Sequence, residues 1–289
     1  MRTVALLSAI LTCWSVALAK DEISIVPQPA KMAVNGGEFT LSTKTVIVAD
    51  AALAKVLKGA LATATGYDLK TAASGGDNGI VLTRDAKLAA KLGDEGYTLS
   101  ATKKGVAIQA ATDVGLFYGI QTLRQLLPPE IYSSKTVKSV SWTIPCVEIT
   151  DRPRFKWRGM HLDVARHYMP GDFIRKYIDL MVIHKLNRFH LHLTDNEAWR
   201  IEIKKYPELT AKGSSGSKTL DYGKPTFYTQ DEMRKIVAYA AQRHIIVIPE
   251  IETPGHSKAV RRVHRDWSGG RCLNLQAETF LAFHNISKA

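Results

Sequence analysis

The pattern of hydrophobic and polar positions changes near residue 150. Before it, "TVIVAD" (45–50) and "GIVLTR" (79–84) are apolar runs of strand length. "GYTLSATKKGVAIQA" (96–110) alternates apolar and polar residues on both sides of "TKKG", a hairpin pattern. "AALAKVLKGALATATG" (51–66), closed by Gly66, and "DVGLFYGIQTLRQLL" (113–127), stopped by Pro128-Pro129, are predicted helices. Residues 20–148 are therefore expected to form an α+β domain, and no catalytic constellation appears in them.

From 149 onward, strands alternate with amphipathic helices. "RGMHLDVA" (158–165), "NRFHLHLTD" (187–195) and "IIVIPEIE" (245–252) read as strands. Between the first two, Ile174, Tyr177, Ile178 and Met181 keep the i, i+3, i+4, i+7 spacing of a helix face. After a long polar insertion, Met233, Ile236, Val237 and Ala240 repeat it, opened by a capping box of Thr229 and Glu232. Such alternation predicts a parallel sheet covered by helices. Asp163, Arg166, Asp195, Glu250, Glu252 and His256 gather at the C-terminal ends of its strands, where a (β/α) barrel carries its active site. A full barrel takes roughly 250 residues, so residues 149–289 have room for only part of one. The expected fold class is α/β: the N-terminal α+β domain, then a (β/α)8 TIM-type barrel represented by its first three to four βα units.

Composition narrows the setting. Residues 1–19, "MRTVALLSAILTCWSVALA", combine a positive start, an apolar run too short to span a bilayer and a closing Ala-Leu-Ala. They predict a secretory signal, so the mature protein is expected to be exported (secreted, periplasmic or in a lysosome-like compartment) with no transmembrane segment. A lipid anchor on Cys13 fits less well, because Trp14 follows it. The net charge of +12 raises the question of nucleic acid, but the basic residues are scattered, with "RRVHR" (261–265) the only dense cluster. That pattern suits a solvated basic surface attracted to anionic polymers better than a nucleic-acid site. Cys146 and Cys272 remain after signal removal; their pairing is open, and no cysteine spacing suggests a metal.

Two chemistries compete for "FHLHLTD". His190 and His192, two apart on a strand, point to one face and could ligate a metal, with His256 and Asp195 recruited from other strand ends. His184, His244 and His264 share no spacing with them. The alternative is a sugar site. Arg166 supplies permanently charged donors for hydroxyls, and a carboxylate beside a histidine, Asp195 with His256, forms an orienting pair that tunes a neighbouring acid.

"SIVPQPAKM", "DRPRFKWRGMHLDVARHYMP", "HLTDNEAWRIEIKKYPELT" and "IPEIETPGH" together resemble the family 20 glycoside hydrolases, the β-N-acetylhexosaminidases. The resemblance runs over nearly the whole mature chain. It implies removal of terminal β-linked GlcNAc or GalNAc from chitin oligosaccharides or glycans, with retention of configuration. The substrate's own acetamido oxygen acts as nucleophile, which the general two-carboxylate scheme admits as an exception. It implies that Arg166 grips the terminal sugar, that Asp195 and His256 support the general acid, and that no cofactor, metal or nucleic acid takes part. His190 and His192 then become scaffold around the pocket.

The family's acid pair lies in a His-x-Gly-Gly-Asp-Glu motif on the fourth barrel strand. The sequence holds three Asp-Glu pairs, at 21–22, 94–95 and 231–232, and none follows a glycine pair. The tail "CLNLQAETFLAFHNISKA" resembles the helix leading toward that strand. The expectation is a chain truncated before its general acid and inactive as it stands, with a non-catalytic sugar- or partner-binding remnant as the alternative. Asn196-Glu197 and Glu252 depart from the family's usual Asp-Gln and Asp.

Overall fold

The computed structural model describes residues 23–215 and 226–273. The predicted signal, the middle of the polar insertion and the tail from residue 274 lie outside them, as does the Asp21-Glu22 pair.

Among the described residues, ten strands and seven helices carry the architecture, besides a small hairpin of Ser268–Gly269 with Cys272–Leu273. The N-terminal unit contains β1 (Lys31–Thr40), β2 (Val46–Val48), α1 (Ala51–Thr65), β3 (Lys70–Thr71), β4 (Gly79–Arg84), the short α2 (Ala89–Leu92), β5 (Tyr97–Thr102), β6 (Gly105–Ala110), α3 (Asp113–Leu126) and β7 (Thr143–Asp151). Its sheet runs β1-β7-β5-β6-β4-β2-β3, antiparallel from β1 to β6 and parallel from β6 to β3. The Asp50 carboxylate accepts from the Ala52 and Leu53 N–H groups and starts α1; Gly66, at φ 71°, ends it in the left-handed conformation that glycine adopts without steric cost. α1 and α3 pack together, and α3 lies on β5 and β6. It lies so close that a Cβ on Gly119 would come within 2.4 Å of Ile108 Cγ2. β7 continues to Asp151, so the first sheet runs past the boundary expected at 148.

The second unit begins with β8 (Gly159–Asp163), α4 (Gly171–Ile183) and β9 (Arg188–His192), followed by the short α5 (Glu208–Ala211). It continues with α6 (Gln230–Ala241), β10 (Ile246–Glu250) and the short α7 (Lys258–Val263). Its three strands are parallel, in the order β10-β9-β8. This is the start of a barrel: three strands, each followed by a helix. The Thr229 hydroxyl accepts from the Glu232 N–H, as the capping box requires. Phe189 and Leu191 are fully buried on the helix-covered face, with Ile174, Ile178 and Met181 of α4 and Ile236 and Ala240 of α6. Val237 is 44% exposed, so the buried stripe of α6 is narrower than its spacing suggests.

The two units share one hydrophobic core. Where they meet, buried Lys185 donates to Asp151 Oδ2 (3.0 Å) and Tyr97 Oη (2.8 Å). Glu95 receives Arg158 (2.7 Å) and Asn187 (3.0 Å) just before β8 and β9. Cys146 is buried and Cys272 exposed, and both are free. No helix among the described residues is long and apolar enough to cross a membrane.

Candidate active site

In-register pairing of three parallel strands decides which side chains share a face. Arg188 is paired with Gly159 on one side and Ile246 on the other, so His161, His190 and Ile248 stand on one rung and Asp163, His192 and Glu250 on the next but one. With a side-chain period of two, both rungs point away from the helices. The polar ends of β8, β9 and β10 thereby converge.

Asp195 is the hub, with its side chain only 1% exposed. Its carboxylate accepts from the Asn196 N–H (2.6 Å) and lies 3.0 Å from His192 Nε2, 3.2 Å from His256 Nδ1 and 2.7 Å from an Arg166 terminal nitrogen. Burial pushes its pKa up, but the Asn196 N–H, the two histidines and Arg166 together bring it below the usual carboxylate value. Arg166 also donates to Asp163 (2.5 Å), and its Nε lies 3.8 Å from Glu197. The hydrogen bond to Asp163 is the main reason its pKa rises. The Pro254-Gly255 turn delivers His256, which takes a left-handed φ of 48° to bring its ring back to Asp195. All three sequence-derived candidates, Arg166, Asp195 and His256, thus meet within hydrogen-bonding distance.

The opening histidines behave differently. His192 is buried between two carboxylates, Nε2 at Asp195 and Nδ1 at Glu250 (2.9 Å). Bonding both with N–H donors requires the imidazolium. Burial works against that charge, yet the hydrogen bonds to Glu250 and Asp195 raise its pKa above the ordinary value. His190 is half-exposed and reaches the same Glu250 oxygen at 2.6 Å. The Glu250 and Glu252 carboxylates act on each other, and Glu252 is pushed up chiefly by Glu250. In Glu250 burial is outweighed by His192 and Glu252, so its pKa is lowered.

Two participants were not singled out from the pattern. His161, two residues before Asp163, contacts Glu250 at 3.6 Å, and its parity matches that of His190 and His192. Arg200 is fully buried and gives no sequence signal, since arginine ordinarily reads as surface. The described Asp-Glu pairs lie elsewhere: Glu95 binds Arg158 and Asn187 before the strands, and Asp231-Glu232 opens α6. The arrangement can grip hydroxyls and orient a proton-transfer group, but none of these pairs stands beside Asp195.

Comparison with known proteins gives a consistent picture. The description "Glycosyl hydrolase family 20, domain 2" matches residues 22–152, and "Glycosyl hydrolase family 20, catalytic domain" matches residues 155–279. The chain is 43% identical over 241 residues to a beta-hexosaminidase of Porphyromonas gingivalis, covering 82% of this chain and 31% of that protein. It is 32% identical over 256 residues to a beta-N-acetylhexosaminidase of Cellulomonas fimi, covering 85% of this chain and 49% of the relative. Among solved structures, Streptomyces plicatus N-acetyl-beta-hexosaminidase in complex with Thio-NAglucal superposes with a TM-score of 0.82 at 33% identity, over 91% of this chain and 55% of that one. The chain therefore spans less than two thirds of the length of these relatives.

Proposed function

This chain belongs to glycosyl hydrolase family 20, and from that premise we propose that its strand ends form one wall of a pocket for a terminal β-linked N-acetylhexosamine, GlcNAc or GalNAc. The observation that carries this reading is the convergence of Arg166 and His256 on the buried carboxylate of Asp195. In it, the Arg166 guanidinium binds ring hydroxyls of the terminal sugar. Asp195 holds that guanidinium and orients His256, whose ring steadies the general acid. The acetamido group of the substrate is the nucleophile, which suits a site whose own carboxylates are committed to Arg166 and the histidines. Chitin oligosaccharides and N-acetylhexosamine-bearing glycans are the substrate class, met outside the cytoplasm after export.

General acid–base catalysis contributes about 10²–10⁴-fold, and no Asp-Glu pair stands at the described pocket. The 289-residue polypeptide is therefore expected to bind GlcNAc without appreciable turnover. Titration with GlcNAc followed by NMR tests the reading. The resonances of Arg166 and His256 should shift, and Arg166→Ala should weaken binding about ten- to a hundredfold, since hydrogen bonds to charged groups contribute roughly 1.5–3 kcal/mol. Equal binding by the variant, or shifts confined to another surface, would overturn the assignment.

A further inference from the structure

The rung-by-rung stacking of β8, β9 and β10 brings three imidazoles to one carboxylate oxygen. Glu250 Oε2 lies 2.6 Å from His190 Nε2, 2.9 Å from His192 Nδ1 and 3.6 Å from His161 Nε2. A nitrogen of His161, a nitrogen of His192 and a carboxylate oxygen of Glu250 all lie within 4.8 Å of one another. Zinc bonds to imidazole and carboxylate run about 2.0–2.2 Å, so tetrahedral donors stand about 3.4 Å apart. Side-chain rotation must close a spacing of up to 4.8 Å to about 3.4 Å, a movement of roughly 1.4 Å, to reach that geometry.

We propose that His161, His192 and Glu250 form a site for a divalent ion of the zinc class. Two imidazoles and a carboxylate, with one position left open, are a donor set that zinc accepts. The ring of His192 is held as a ligand needs: its Nε2 is fixed by Asp195 at 3.0 Å, which leaves Nδ1 aimed at Glu250. A carboxylate behind a ligating histidine sets its tautomer and raises its basicity. His161, with its side chain 50% exposed, gives the ion an entry path and an open position for water. His190 stands against the same carboxylate and steadies it. On binding, the ion takes the place of the proton on His192 Nδ1, which leaves to solvent, while the Nε2–H bond to Asp195 persists. The proposal goes beyond the sugar reading and does not depend on it.

Calorimetric titration of the chelator-treated 289-residue chain with Zn2+ tests it. One equivalent should bind. His161→Ala and Glu250→Gln should each weaken binding at least tenfold, and Asp195→Asn about tenfold, as losses behind a ligand typically do. His264→Ala, outside the cluster, should leave that affinity unchanged. No one-to-one site, or one that survives both His161→Ala and Glu250→Gln, would overturn the proposal. Should a variant lose its circular-dichroism spectrum, Co2+ added to the unmodified chain decides. Paramagnetic shifts of the His161 and His192 ring protons support the site, and shifts confined to other histidines refute it.

Discussion

Lys185→Met is expected to destabilise this chain by about 3 kcal/mol. Lys185 and Asp151 are 5% and 8% exposed, and their charged ends are 3.0 Å apart where the first sheet meets the barrel strands. Burial lowers the Lys185 pKa and Asp151 works against that, so the ammonium relies on its partner to stay charged. Methionine keeps the stem and deletes the charge, leaving the carboxylate in place. Removing one partner of a buried pair costs about 3–5 kcal/mol. Asp151 keeps two donors, Tyr97 Oη at 2.8 Å and the Ala30 N–H at 3.1 Å, which puts the effect at the lower end. For a chain this long, 1 kcal/mol shifts Tm by about 2–4 °C, so the fall should be roughly 6–12 °C. Adding Asp151→Asn removes the stranded charge and keeps one acceptor oxygen, enough for Tyr97 Oη or the Ala30 N–H, which now bond different carboxylate oxygens. The double variant should be less destabilised than the sum of the singles, by about 0.5–3 kcal/mol of coupling. Thermal and urea unfolding followed by circular dichroism give both numbers. A Tm within a degree of the unmodified protein, or strictly additive variants, would refute the idea that this pair clamps the two units together.

Gly119→Ala should cost about 1–3 kcal/mol, because the new methyl meets Ile108 and Tyr97 and the α3–sheet contact must open; urea unfolding measures it, and an unchanged midpoint would contradict the packing. The His192 ring should titrate above the ordinary histidine value of about 6.5 in an NMR pH series. Because its folded pKa is raised, the stability it contributes is fully present below about pH 6.5 and is lost as pH rises through the folded value. His244, whose pKa burial lowers, works in the opposite sense, so each ring must be followed by its own resonance. Glu250→Gln should bring the His192 midpoint down, and a midpoint that stays put would remove Glu250 as its cause.

The four long helices, α1, α3, α4 and α6, and most strands were legible because each is a local pattern, whereas the short α2, α5 and α7 were not read. "GIVLTR" is β4 to the residue, and the "TKKG" hairpin is the β5–β6 turn. β1 and β7 were not legible. Lys31 pairs with Thr150, across the whole first unit, and most β1 side chains are exposed, so no apolar alternation marks that strand. Arg166, Asp195 and His256 could be read from the sequence because strand ends in an alternating β/α pattern are where a barrel places chemistry. The partners of Glu250 required knowing the register. One residue of slip between β8 and β9 would turn His161 toward the helices.

The position of Arg166 depends on a residue that no periodicity reveals. The fully buried Arg200 guanidinium donates to the carbonyls of Val164 (3.0 Å) and Ala165 (3.1 Å), the two residues before Arg166. It also donates to the carbonyls of Ser214 and Thr226, both at 2.8 Å, on the two sides of the polar insertion. Burying an arginine is costly unless its donors are satisfied, and here they are satisfied by backbone that would otherwise be loop. The insertion, which reads as an interruption between two barrel units, is thereby fastened to the turn that presents Arg166. Arg166 then meets Asp195 from β8's side while the β9 register brings His192 to it from below. The polar groups of the pocket are held by strand pairing at one end and by Arg200 at the other, so its geometry is fixed by buried bonds before any sugar or ion enters.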